Sequence, residues 1–263
     1  MNCLTVFPAP DVRYERTKLI AIANSANTNM WNSFDVQVEL YLNHFSGLYP
    51  RIDHLVSWIS ATPLIKGGPI IFLIWLSLFD RAKPGRLRKG FDLLLGSVIF
   101  SVAATIAARG LAIVLPFRTR PLATPVLDFH LPAGGAAGLD YVNWSSFPSD
   151  HAAMFFGLAT GILLVWRAAG LFAMVWATLV VCLPRLYLGE HWPTDILAGA
   201  LLGVLSTQIV RVPVVRQTIQ RLVLNWYEKR PHTLFAFLFL WSFEATNLFS
   251  DVRHVLKVMT RTL

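Results

Sequence analysis

Long apolar stretches alternate with short polar segments through the middle of the chain. A helix needs about 20 largely apolar residues to cross the hydrocarbon layer of a membrane. Five stretches approach that length: 64–79, 91–115, 152–166, 168–183 and 196–215. We therefore predict an all-α fold, a polytopic membrane helical bundle with five transmembrane helices.

The flanking segments carry weaker patterns. Residues 233–249 are apolar but short and include Glu244, so a sixth span is an alternative. Upstream, four apolar residues after Pro50 share one helical face, as in a helix that lies in the membrane interface or caps the bundle. These are Ile52, Leu55, Val56 and Ile59. The patterns divide the chain into an N-terminal segment with interfacial helices (1–63), a transmembrane catalytic domain (64–215) and a C-terminal segment (216–263).

Composition supports a membrane protein. Hydrophobic residues make up 55% of the chain and charged residues 14%, whereas soluble domains have about 45–50% and about 25%. The formal net charge of +8 would indicate nucleic-acid binding in a soluble protein. In so apolar a chain it indicates basic residues held on the cytoplasmic side of a bilayer. We therefore expect a membrane, and no nucleic acid, as partner.

The distribution of basic residues predicts how the bundle is oriented. Eleven lysines and arginines fall in the loop 80–90, at position 167 and within 211–230, all on one side of the predicted spans. The loops on the opposite side, 116–151 and 184–195, hold three. The positive-inside rule places the richer side in the cytoplasm. In a bacterial inner membrane the opposite loops then face the periplasm.

Three polar clusters lie in or beside those outer loops. Spans two and four leave the membrane on the side where spans three and five enter it, so parity alone brings the clusters to one face. The clusters occupy residues 109–121, 147–151 and 184–195. We predict that they face one site.

Local helix chemistry makes this site suitable for an anion. Ser149 is a typical N-cap for span three, and Pro193 suits the first residue of span five, where its missing N–H costs nothing. Helix N-termini with unpaired N–H groups bind phosphate, and guanidinium groups match phosphate oxygens. Three arginines in the loops supply such groups: Arg118, Arg120 and Arg185.

Two histidines give this anion site the parts of a phosphoryl-transfer catalyst. Asp195 lies in the first turn of span five and can hold the ring of His191, as a carboxylate holds a catalytic imidazole. His151 can protonate the leaving oxygen. We predict that His191 attacks phosphorus and that water then hydrolyses the phosphohistidine. The arginines and backbone N–H groups stabilise the equatorial oxygens.

The order and spacing of these residues resemble the signature of the type 2 phosphatidate phosphatase superfamily of membrane lipid phosphatases. That signature reads K-x6-R-P, then P-S-G-H, then S-R-x5-H-x3-D. The chain matches it with Arg120-Pro121, with Pro148, Ser149 and His151, and with Arg185, His191 and Asp195. The resemblance covers residues 109–195 and, through the span pattern, extends to about residue 215.

The resemblance implies a helical bundle, no metal and no cofactor. It implies that His191 is the nucleophile, that His151 is the acid and base, and that Asp195 orients His191. It also implies three phosphate ligands: Arg120, Ser149 and Arg185. We add two arginines as candidate ligands: Arg118, two residues before Arg120, and Arg109, the nearest basic residue to the position where the signature has lysine. For Arg109 the alternative is a residue at the end of span two whose side chain extends to the membrane surface.

Three positions depart from the signature. Ile113 stands where the signature has lysine, Pro184 where it has serine and Asp150 where it has glycine. The resulting P-S-D-H sequence resembles the bacterial undecaprenyl-pyrophosphate phosphatases of the superfamily.

We therefore expect a hydrolase that acts on a lipid phosphate or pyrophosphate at the outer face of the membrane. The expected substrates are undecaprenyl pyrophosphate, phosphatidate and phosphatidylglycerophosphate. Two alternatives stay open: a phosphotransferase that passes the phosphoryl group to an alcohol, and a non-enzymatic protein that binds anionic lipids. Among the aromatic residues, we expect Trp144 and Trp192 to lie in the belt at the membrane surface.

Overall fold

The computed structural model describes residues 32–83, 86–87, 90–124, 127–134 and 143–248. The helices of this part are α1 (Ser33–Asn43), α2 (Pro50–Ala61), α3 (Pro63–Arg81), α4 (Phe91–Val114), α5 (Asp150–Val165), α6 (Arg167–Tyr187), α7 (Pro193–Gln208), α8 (Pro213–Lys229) and α9 (Pro231–Thr246). Strands β1 (Ala82–Lys83) and β2 (Arg86–Leu87) pair antiparallel between α3 and α4. The outer parts of the predicted terminal segments, residues 1–31 and 249–263, lie outside the described residues.

In the described part of the chain, four helices are long and apolar enough to cross a membrane: Pro63–Asp80, Phe91–Val114, Arg167–Tyr187 and Pro193–Arg211. The all-α membrane bundle is confirmed. The predicted third span is α5, an apolar helix of 16 residues. Its length of about 24 Å is less than the hydrocarbon thickness of about 30 Å. Helix α9, at the position of the alternative sixth span, also has 16 residues and is not one of the four.

The short helix α5 forms the centre of the bundle, between α4 and α7. Small residues let membrane helices approach closely. A Cβ atom on Gly199 of α7 would overlap the carbonyl oxygen of Ser149, and one on Gly203 would overlap that of Ala153. Glycine at both positions therefore holds α7 against the first turns of α5, where two of the predicted clusters lie.

Helices α1 and α2 pack over the end of the bundle at which α6 ends. In α2 the predicted apolar face points away from the bundle, with Ile52 and Leu55 exposed, as in a helix that lies in the membrane interface. The opposite face carries buried Asp53, which accepts hydrogen bonds from the Gly47 N–H at 3.0 Å and from the Tyr187 hydroxyl of α6. Helix α2 thus combines both predicted alternatives, an apolar outer face and a polar face attached to the bundle.

Candidate active site

The three predicted clusters meet at one end of the bundle. The Ser149 N–H donates to the carbonyl oxygen of Asp195 at 3.0 Å, which joins the starts of α5 and α7. The end of α6 joins them through Arg185, whose guanidinium lies 2.6 Å from the Nε2 atom of His151. The loop after α4 joins them through the guanidinium of Arg120, which donates to a backbone carbonyl beside His191. Parity along the chain had predicted this convergence.

Both helix starts lie where the local chemistry predicted them. Helix α5 follows the N-cap Ser149, whose hydroxyl accepts a hydrogen bond from the Ala152 N–H at 3.4 Å. Helix α7 begins at Pro193, and Asp195 in its first turn accepts a hydrogen bond from the Trp192 N–H at 2.8 Å. These local bonds bring two helix N-termini, with their favourable dipole ends, to the same end of the bundle. The expectation of unpaired N–H groups there was wrong for several donors: the Thr194 N–H of α7 donates to Asp35, and the His151 N–H of α5 donates to the Asp150 carboxylate.

The ring of His191 is buried and held from one side. Its Nδ1 atom lies 2.9 Å from the carbonyl oxygen of Ser146. A carbonyl oxygen only accepts, so Nδ1 carries the proton and donates it. The predicted holder, the Asp195 carboxylate, lies 3.6 Å from Nδ1 and acts as a nearby charge. The Nε2 atom makes no hydrogen bond within the described residues, which leaves it available for attack on phosphorus.

The surroundings of His191 favour a neutral imidazole. Burial lowers the pKa of His191, because a charged ring loses its hydration. The nearby Asp195 opposes this effect, while the positive charges of Arg120 and Arg185 add to it. An imidazole that is neutral near pH 7 is the form that can act as a nucleophile.

Arg118 connects the carboxylate of Asp195 to helix α1. Its Nη1 atom donates to Asp195 and, at 2.9 Å, to the Thr194 hydroxyl. Its Nη2 atom lies 2.5 Å from the buried carboxylate of Asp35. Asp35 also accepts hydrogen bonds from Thr194, from its N–H at 2.9 Å and from its hydroxyl at 2.6 Å. We predicted Arg118 to be a phosphate ligand, but in this structure it contacts the carboxylates of Asp35 and Asp195. It thereby positions Asp195 and the start of α7.

A third acidic side chain, Glu39, is buried one turn after Asp35. Both of its carboxyl oxygens lack hydrogen-bond partners among the described residues. Burial raises the pKa of Glu39 well above its usual value, and the negative charges of Asp195 and Asp35 raise it further. These effects favour the neutral form of Glu39, because an additional buried negative charge here would be costly.

Glu190 holds two of the predicted phosphate-binding arginines. Its carboxylate lies 2.5 Å from the Nη1 atom of Arg185, and its backbone carbonyl accepts the hydrogen bond from Arg120. Burial lowers the pKa of Arg120, against the opposing charges of Glu190 and Asp150, but a guanidinium stays charged at neutral pH. Arg120 therefore stays cationic near His191.

Asp150 links His151 to Arg109. Its carboxylate lies 2.9 Å from the Nδ1 atom of His151 and 2.5 Å from the guanidinium of Arg109. Since a guanidinium only donates, Nε2 of His151 accepts from Arg185, and Nδ1 donates to Asp150. The Arg109 guanidinium also lies 5.0 Å from the ring centre of Trp144. Arg109 therefore reaches the site through Asp150.

Several residues of the site had no strong sequence signal. Asp35 was visible only as an acidic residue in a mixed N-terminal segment, and Glu190 as a loop residue next to His191. The Ser146 contribution comes from a backbone carbonyl, which any residue could supply. The expected belt position of Trp192 was wrong: its side chain is fully buried, and its indole N–H donates to the Thr119 carbonyl at 2.7 Å. This bond ties the loop after α4 to the start of α7.

The chemistry available at this site is that of histidines, arginines and backbone donors. Among the residues that the structure describes, no group of three or more His, Cys, Asp or Glu is arranged to hold a metal ion.

Comparison with known proteins finds similarity to one family. Residues 94–219 match the model of the PAP2 superfamily, and the resemblance drawn from the motifs is confirmed. The chain is 31% identical to the bacitracin transport permease protein BcrC of Bacillus licheniformis over 140 residues, which are 50% of this chain and 63% of the relative.

Two further relatives match shorter stretches. The Escherichia coli (strain K12) protein named "Putative undecaprenyl-diphosphatase YbjG" is 42% identical over 86 residues, 31% of this chain and 42% of the relative. The lipid A 4'-phosphatase of Bacteroides thetaiotaomicron is 38% identical over 81 residues, 30% of this chain and 34% of the relative. The chain thus spans between a third and just under two thirds of the length of these relatives.

Proposed function

We propose that this chain, whose residues 94–219 belong to the PAP2 superfamily, hydrolyses a phosphate or pyrophosphate ester of a membrane lipid. The observation that carries the proposal is the arrangement around His191. Its Nδ1 donates to a carbonyl, its Nε2 has no hydrogen-bond partner among the described residues, and its charge neighbours are Arg120 and Arg185. This is a neutral nucleophile next to cations that match phosphate oxygens.

In the proposed reaction the Nε2 atom of His191 attacks phosphorus and the bond from phosphorus to the leaving oxygen breaks. The proton for the leaving oxygen comes from His151. In the resting structure Nε2 of His151 accepts from Arg185. An anionic phosphate between the rings would attract the Arg185 guanidinium and favour protonation of His151. Water then attacks the phosphohistidine, with His151 taking its proton, and inorganic phosphate leaves.

The remaining groups stabilise charge in this reaction. The equatorial oxygens gain negative charge as the phosphoryl group transfers. We assign the binding of these oxygens to the Arg120 and Arg185 guanidinium groups and to the N-terminus of α5, where Ser149 is the N-cap. Asp195, 3.6 Å from Nδ1 of His191, balances the positive charge that develops on the ring.

Three observations support the proposed lipid class and membrane side. The apolar helices that frame the site support a lipid substrate. The names of two relatives, an undecaprenyl-diphosphatase and a lipid A phosphatase, support a lipid phosphate or pyrophosphate. The basic loops at the opposite end support an inner-membrane location with the site facing the periplasm. We propose undecaprenyl pyrophosphate, phosphatidate or phosphatidylglycerophosphate as substrate.

Phosphate release by the detergent-purified protein tests the proposal on these three lipids. The wild type is expected to hydrolyse at least one of them and to form an acid-labile phosphoprotein in a rapid quench. His191→Ala should lose release by roughly a thousandfold or more and form no phosphoprotein. His232→Ala, at an exposed histidine of α9, is the matched control and should behave as the wild type. Near-normal turnover by His191→Ala would refute the mechanism.

A further inference from the structure

The chain lacks a lysine at the position where the family signature has one. Ile113 occupies that position near the end of α4, and its side chain is 84% exposed. A residue that points away from the bundle cannot contact a substrate held at the start of α5. If a lysine contributes to this site, it must come from another element.

Lys66, in the first turn of α3, is a buried lysine on that end of the bundle. Its residue is only 8% exposed. Helix α3 packs on α5 and on the π-helical part of α6. The indole N–H of Trp176 in α6 donates to the backbone carbonyls of Ile65 and Lys66, at 3.1 and 3.3 Å. These contacts fix the first turn of α3 against α6.

The first turn of α3 packs near the helix ends that carry the charges of the site, because α3 contacts α5 and the π-helical part of α6. The groups whose fields act on the Lys66 ammonium are Arg185, Glu190 and Asp150, and the ammonium acts in turn on His151. Each of these carboxylates already has an arginine partner: Glu190 lies 2.5 Å from Arg185, and Asp150 lies 2.5 Å from Arg109. Helix α3 packs on α5, which begins with Asp150 and His151, and on α6, which carries Arg185, so Lys66 lies on the same side of the bundle as His151.

Within the described residues, the Lys66 ammonium makes no hydrogen bond and no ion pair. An ammonium group in a buried residue that pairs with no carboxylate gains most from an anionic ligand. The position of Lys66 therefore suits a group that binds a negatively charged part of the substrate.

We propose that Lys66 binds the leaving-group phosphate of a pyrophosphate lipid and makes the site selective for pyrophosphates. The inference rests on the proposed function. His191 attacks the terminal phosphorus, the P–O bond to the bridging oxygen breaks, and His151 protonates that oxygen. The leaving group is then a lipid monophosphate, which keeps negative charge next to Lys66. A phosphate monoester instead releases an uncharged alcohol, which offers a cation nothing to bind.

Lys66→Met tests the proposal, because methionine keeps much of the side-chain volume and removes the charge. We compare kcat/KM for undecaprenyl pyrophosphate and for phosphatidate in the same detergent. A hydrogen bond to a charged group contributes about 1.5–3 kcal/mol, so the value for the pyrophosphate should fall roughly 10- to 100-fold. The value for phosphatidate should change by less than about threefold, and Lys66→Arg should restore most of the pyrophosphate activity.

The matched control is Lys229→Met, at an exposed lysine in the last turn of α8, which should change neither value. Thermal unfolding in detergent separates a binding role from a structural one, because removing an unpaired buried charge should leave the stability of Lys66→Met equal or higher. Equal losses on both substrates, unchanged pyrophosphate hydrolysis or a destabilised variant that Lys66→Arg does not rescue would overturn the role of Lys66. A wild type inactive on both lipids would instead overturn the proposed function, and this inference with it.

Discussion

The carboxylate of Asp35 offers the most direct test of how the site is positioned. It is fully buried, and it accepts hydrogen bonds from the N–H and hydroxyl of Thr194 and from Arg118. Asp35→Asn keeps the size of the side chain and one acceptor oxygen. It removes the negative charge and places an NH2 group opposite the donors of Thr194 and Arg118. Arg118 then keeps Asp195 as its remaining carboxylate partner in this network.

The magnitude follows from those contacts. Removing one partner of a buried ion pair costs about 3–5 kcal/mol, and a hydrogen bond to a charged group contributes about 1.5–3 kcal/mol. Because Arg118 retains Asp195 and the new amide still accepts one bond, we expect Asp35→Asn to reduce the free energy of unfolding by about 3 kcal/mol. The released Arg118 should also shift Asp195 relative to His191, so kcat should fall roughly tenfold with little change in KM.

Phosphate-release kinetics and thermal unfolding of the purified variant measure both effects. Asp128→Asn is the matched control, since Asp128 is exposed and asparagine tolerates its positive φ of 48°. This variant should keep the wild-type kcat and melting temperature. If Asp35→Asn retains both values, the network from α1 through Arg118 to Asp195 does not position the catalytic carboxylate.

Three further predictions address the pKa of His191, the contact between α5 and α7, and the independence of catalysis from metal ions. Because the pKa of His191 is lowered, the neutral ring persists to lower pH; kcat/KM should fall on the acid side with a midpoint below the usual histidine value of about 6.5, and a higher midpoint would contradict this. Gly199→Ala should destabilise the fold by about 1–3 kcal/mol, since a Cβ there meets the Ser149 carbonyl, whereas Gly110→Ala, with open space around it, should not. EDTA should leave phosphate release unchanged, and loss of activity restored by Mg²⁺ would refute metal-independent catalysis.

The alternation of apolar and polar segments was enough to predict the helical bundle and the meeting of three distant clusters. Crossing a membrane requires a long apolar helix, and each crossing reverses the side, so the order of the spans determines which loops share a face. Helix starts were equally predictable, because the N-cap Ser149 and the first-turn residues Pro193 and Asp195 act through bonds within a few residues.

The sequence could not predict which charged groups become partners. Asp35 and Thr194 are separated by 159 positions, and nothing in either local segment indicates the other. Trp192 shows the same limit, since an aromatic residue near a span end can lie in the interfacial belt or pack inside the loops above it. Only the packing of α1 and of the loop after α4 over the bundle decides between them.

Local chemistry along the chain therefore determined the spans, the helix starts and the residue types of a phosphate site. The tertiary structure decided that Ser146 holds His191 and that Glu190 holds Arg185. It also decided that the first turn of α3, with buried Lys66, packs against α6. The physical reason is the distance along the sequence over which each kind of interaction acts. Apolar burial and capping act on neighbours in sequence, whereas pairing of buried charges depends on which helix faces the packed bundle brings together.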